Sequence, residues 1–91
     1  MSNELGDFLR ARRADADLET SFLAVRQTGR RRRITGLRRE EVAAAAGISV
    51  DYYTRLEQGR ETHPSEAVLG ALARALRLDR DGREHLHRLR D

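Results

Sequence analysis

All eighteen basic side chains of this 91-residue chain are arginine; it contains no lysine. A guanidinium presents five N–H donors in a planar fork that matches a phosphate, or the two acceptor atoms on a guanine edge. The usage fits nucleic acid, and codon bias in a GC-rich genome accounts for the same composition without any function. Position has to separate the two. Fifteen acids reduce the net charge to +3, so local clusters carry whatever strong field exists. The densest cluster is the run Arg30, Arg31, Arg32 and Arg33. Contact with phosphate, insertion into a narrow minor groove, and a solvated charge run are all physically available to it, with binding of a small phosphate ligand a further alternative.

The other reactive side chains do not converge. Of the three histidines, His85 and His87 stand two positions apart on a predicted helix, so their rings diverge and cannot share a metal; His63 lies elsewhere. Glu40 and Glu41 are adjacent and diverge in the same way, which does not suit a general acid and base pair. No glycine-rich phosphate loop or nucleophile elbow is present. Without cysteine, disulfides and thiolate-bound metals are excluded. The expectation is a protein that is not an enzyme and uses no cofactor and no metal.

The elements that must position the arginines are helical. A chain this short supports one domain, residues 1–91, with one modest core. No apolar run approaches the roughly 20 residues that span a bilayer, and M-S-N-E-L-G-D lacks the features of a secretory signal. A cytoplasmic protein without a membrane partner is expected. Leu5, Phe8 and Leu9 share a stripe and predict a first helix over residues 4–13. That periodicity fails over 14–36, which reads as a long basic loop. Helices are predicted over 37–46 and 50–58, with Ser49 as N-cap and Gly59 as terminator of the second. Another opens after Pro64 and Ser65, with Val68, Leu69, Leu72, Ala73 and Leu76 at helical spacing. A last helix follows Asp79, with Gly82, Leu86 and Leu89 on one face. The fold class is all-α, a compact five-helix bundle.

The stretch R-E-E-V-A-A-A-A-G-I-S-V-D-Y-Y-T-R-L-E-Q-G-R, from Arg39 to Arg60, sets four alanines beside the chain's only two tyrosines. Two helices joined by a tight turn pack closely only if a small residue sits at their crossing and the turn tolerates positive φ. Ala43 and Gly47 meet these needs. Val42, Ala46, Ile48, Tyr53 and Leu56 then fall at the apolar positions of a helix-turn-helix motif spanning 37–59. Its second helix stands out so that its N-terminal side chains can enter a major groove.

A-A-A-A-G-I-S-V-D-Y-Y-T-R-L-E-Q-G-R resembles the Cro and phage-repressor (Xre) class of lambda-repressor-like helix-turn-helix domains. More narrowly, G-L-R-R-E-E-V-A, S-V-D-Y-Y-T-R-L-E-Q-G-R, H-P-S-E-A-V-L-G-A-L-A-R-A-L-R-L and H-L-H-R-L resemble the N-terminal domain of MmyB-like bacterial transcription regulators. The resemblance covers the first helix and everything after Gly36; residues 15–28 fit it less well. It implies double-stranded DNA as partner, and a phosphate contact for Arg39. Val50, Asp51, Thr54 and Arg55 match groove-facing positions. Arg55 can fork onto guanine, Asp51 can accept from a cytosine amino group, and Val50 can touch a thymine methyl. An acid in the first turn also suits the helix dipole without touching DNA, so Asp51 keeps both readings. The resemblance further implies that Glu57 pairs with Arg13 of the first helix. Tyr52, about 100° around the helix from inward Tyr53, is expected to face outward and donate to a phosphate, and Arg60, on one face with Arg39 and Arg55, is expected to bind phosphate as well.

The expected function is that of a bacterial transcriptional regulator, bound to the nucleoid when engaged, with a homodimer on a two-fold operator left open. Members of the resembled family continue into a ligand-sensing domain, so this chain would be the N-terminal part of a longer regulator and any ligand would bind outside it. The alternative is the same fold used as a protein-interaction module, antitoxin-like or bridging. RNA is a poorer fit, because stacking aromatics for single strands are missing.

Overall fold

The computed structural model describes residues 3–15 and 36–90, and within them the chain forms five helices and no strand. Helix α1 (Glu4–Asp15) is opened by Asn3, whose Oδ1 accepts from the Gly6 N–H at 3.2 Å. Glu4 and Asp7 in its first turn and Arg12 and Arg13 in its last complement the helix dipole. It runs past the expected residue 13, so Ala14 and Asp15 belong to the helix and not to the loop. The chain rejoins at that end: the Leu37 N–H donates to the Arg13 carbonyl at 3.0 Å, and Gly36, at φ 91°, lies against Ala14. Residues 16–35, including the Arg30 to Arg33 run, lie outside the described residues.

Helix α2 (Arg39–Ala46) begins two residues later than its periodicity suggests. Leu37 has given its N–H to α1 and buried its side chain, and Arg38 is extended at φ −79°, ψ 157°. The Glu41 carboxylate reaches back to accept from the Arg38 N–H at 2.7 Å, which satisfies a donor that the helix leaves open. Helix α3 (Val50–Glu57) is capped by Ser49, whose Oγ accepts from the Tyr52 N–H at 3.0 Å, and it ends one residue before 58 because Gln58 is its C-cap. Ser65 caps α4 (Glu66–Ala75) in the same manner through Val68, and Asp79 caps α5 (Arg80–Arg90) through Gly82.

Three helices end alike. In α2 the Ile48 N–H reaches back to Ala43 O at 3.0 Å and the Gly47 N–H to Ala44 O at 3.2 Å, around a Gly47 at φ 73°. This is the Schellman pattern, and it repeats at Gly59 (φ 77°) after α3. After α4 the left-handed position holds Arg77 at φ 58°, where no glycine signals the stop.

Leu5, Leu9, Val42, Tyr53, Leu56, Leu69, Leu72 and Leu86 are among the residues that close the core. Helix α2 packs on α3 and α4, α1 on α3 and α5, and α4 on α5. Of the four alanines only Ala43 is buried; Ala44 and Ala45 face out and Ala46 is half-buried. Val42, Tyr53 and Leu56 are fully enclosed, whereas Ala46 and Ile48 flank the core. Among the described residues no helix is long and apolar enough to cross a membrane.

Candidate nucleic-acid interface

Helix α3 separates its side chains by face. Tyr53, Leu56 and Glu57 are buried, Val50 and Asp51 are exposed, and Tyr52, Thr54 and Arg55 are half-buried. Among the described residues Val50 is the exposed large hydrophobic, at 44%. Apolar area costs free energy in water, and a β-branched side chain at the tip of a helix can recover it against a partner's methyl group. Tyr52 stands less far out than its angular position suggests. Its ring packs partly against the core, and the Arg55 guanidinium carbon sits over it, 5.8 Å from the centroid. Burial first, and then the Glu61 charge, raise the Tyr52 phenol above its ordinary pKa, against an opposing effect of Arg55, so it stays a neutral donor.

Beneath that face lies one buried carboxylate shared by three helices. Arg13 of α1 grips Glu57 of α3 with two bonds, Nε to Oε2 at 2.6 Å and a terminal nitrogen to Oε1 at 3.0 Å. Arg39 of α2 adds a third, Nε to Oε1 at 3.0 Å. The remaining terminal nitrogen of Arg13 donates to the Leu37 carbonyl at 3.0 Å. Burial alone raises the Glu57 pKa; hydrogen bonds and charge from Arg13, with Tyr53 and Arg39, outweigh it and hold the carboxyl below its usual range. The Tyr53 hydroxyl lies against this pair, but among the described residues it has no hydrogen bond of good geometry. Burial first and Glu57 next push its pKa well above that of an ordinary phenol.

The family resemblance implied a phosphate contact for Arg39 and a pairing of Arg13 with Glu57, and the structure brings both arginines to the same acid. Their situations differ. The Arg39 side chain is 38% exposed and, among the described residues, uses only its Nε on Glu57. Arg13 is 19% exposed and engaged on three nitrogens. Arg60 is exposed and donates to the Gln58 side chain at 3.3 Å.

Two positioning residues were missed in the sequence. Asn3 caps α1 with its oxygen, while its Nδ2 donates at 2.8 Å to the Glu57 carbonyl at the end of α3. Gly6 sits at the closest crossing of α1 and α3: a Cβ there would stand 2.2 Å from that same carbonyl oxygen. A glycine inside a helix costs about 1 kcal/mol relative to alanine, and that local anomaly was the signal that a close backbone approach required it.

The histidines do not converge either. His85 stacks edge-on with Phe8, ring centroids 5.0 Å apart, and His87 donates from Nδ1 to the Arg83 carbonyl at 2.9 Å. Among the described residues no group of three or more His, Cys, Asp or Glu side chains could hold a metal.

Two short helices joined by a three-residue Schellman turn, the second bedded on a bundle with its first residues, Val50 and Asp51, exposed, define an all-α domain of the helix-turn-helix class. The chain belongs to the helix-turn-helix domain family, whose model matches residues 4–86. No curated protein and no solved structure matches it. Membership in that family suggests DNA as the partner.

Proposed function

We propose that the domain binds double-stranded DNA in a sequence-specific manner as a bacterial transcriptional regulator of the Xre type, with α3 in the major groove. The observation that carries this is the split of α3 into a core-facing stripe and an exposed N-terminal face holding Val50 and Asp51, with Thr54 and Arg55 beside them. These side chains supply an apolar contact, an acceptor and a bidentate donor, the chemistry that base edges offer in the major groove. Arg39 and Arg60, at the start of α2 and just after α3, suit phosphate contacts that set register without reading sequence. Arg30 to Arg33 would add to this from the segment outside the described residues. No catalytic role is proposed, and the homodimer stays a proposal for two-fold sites.

The test is selection of bound duplexes from a random pool, followed by salt-dependent gel shifts against single-stranded competitors. Enrichment of a defined duplex is the expected result. Failure to enrich any sequence, together with binding to a folded protein partner, would favour the interaction-module alternative.

A further inference from the structure

We propose that Tyr52 is a positioning residue for Arg55: its ring, seated on the core, holds the guanidinium in place before DNA arrives and so sets the base preference that Arg55 carries. This rests on the DNA-binding function proposed for α3, and it gives Tyr52 a role other than donating its hydroxyl to phosphate.

The geometry is a bracket. Tyr52 and Arg55 stand three positions apart, so they share a face of the helix. The Arg55 guanidinium carbon lies 5.8 Å from the ring centroid, inside the roughly 6 Å over which a cation is drawn to an aromatic face. Both backbones are pinned. The Tyr52 N–H is held by the Ser49 cap at 3.0 Å, and the Arg55 carbonyl accepts from the Arg60 N–H at 2.9 Å and the Glu61 N–H at 3.2 Å. The tyrosine ring packs on the core, which leaves the arginine side chain as the loose member that the ring restrains.

The kind of partner matters for reading. A carboxylate would hold Arg55 by occupying its N–H groups, whereas an aromatic face attracts the cation and leaves the donor edge open toward a guanine. Asp51 lies four positions earlier, yet among the described residues it makes no ion pair with Arg55. Ordering a rotamer-rich side chain in advance also lowers what remains to be ordered on binding. The hydroxyl contributes nothing to this, so phenylalanine should serve equally.

Two measurements test it. In the free protein, NMR of the Arg55 side chain should show a ring-current shift of its Nε proton in wild type and Tyr52→Phe, lost in Tyr52→Leu. Binding profiles over the selected duplex and all its single-base substitutions should then show Tyr52→Leu weaker by roughly two- to fivefold on the preferred site. The loss of preference should fall on the same base pair that Arg55→Ala flattens, with Tyr52→Phe unchanged throughout. Far-UV circular dichroism checks folding, and Tyr52→Met replaces the leucine variant if that one unfolds. An Arg55 shift indifferent to the ring overturns the proposal. So does equal weakening of all duplexes by Tyr52→Phe and Tyr52→Leu, which would assign the hydroxyl to phosphate. If wild type binds no duplex, the proposal falls with the function it rests on, and the side-chain shift shows whether the stack itself exists.

Discussion

Glu57 is the residue on which most depends, because it is fully buried, charged, and answered by guanidinium groups from two other helices. Removing one partner of a buried ion pair typically costs about 3–5 kcal/mol, since the other charge is left uncompensated. Arg13→Ala leaves Glu57 with Arg39 alone, so its loss should fall at the lower edge of that range. Chemical denaturation of Arg13→Ala, Glu57→Ala and the double variant should reveal a coupling of about 0.5–3 kcal/mol. Acid should act through the same group. Its folded pKa is lowered, so its contribution is complete above the unfolded value of about 4.3 and fades as pH falls through the folded one. Denaturation midpoints between pH 6 and pH 2 should therefore fall more steeply for wild type than for Glu57→Gln. The arginines on the outer face divide differently. Arg39→Ala should weaken all duplexes about equally, whereas Arg55→Ala should lose roughly 1–3 kcal/mol on the preferred site and relax one base pair, which a single-base substitution profile would resolve.

At the scale of elements, two glycines act by different physics. Gly47 ends α2 at φ 73°, and a Cβ built there meets nothing within 4 Å, so the whole penalty of a substitution is conformational. Gly47→Val should cost about 1–3 kcal/mol, and Gly47→Asn far less, because asparagine tolerates the left-handed region. Equal thermal melting of the two variants would contradict this. Gly6 has helical φ and ψ but no room, with the Glu57 carbonyl and the Asn3 side chain both under 3 Å from its hypothetical Cβ. Gly6→Ala raises local helix propensity and should still destabilise the fold by about 1–3 kcal/mol, because α1 must move off α3. Calorimetric melting that shows stabilisation would refute the close crossing.

For the molecule as a whole, a net charge of +3 is too small to attract a polyanion uniformly, so the proposed affinity for DNA must come from where the arginines lie. Log affinity for duplex should fall linearly with log salt, by about 0.9 for each phosphate neutralised. Arg60→Ala should lower that slope by about one such unit and leave the ranking of sequences unchanged. A slope identical to wild type in salt titrations would remove Arg60 from the contact surface.

The sequence by itself determined the helical class and the motif, because 3.6-residue apolar spacing, Ser49 and Ser65 caps, and Gly47 and Gly59 stops are encoded within a few residues of where they act. It also marked the outer stripe of α3, since Tyr53 and Leu56 fix which side must turn inward. Boundaries slipped wherever the deciding partner was remote: Leu37 reads as helix until its N–H is seen bonded to Arg13, and Ala14 reads as loop until that same contact closes the end of α1. Arg39 joining Arg13 on Glu57, Asn3 donating to the Glu57 carbonyl, and Gly6 beneath that same carbonyl were decided by tertiary structure. Each joins residues 18 to 54 positions apart, and no local pattern carries a distance that only the packing of three helices creates.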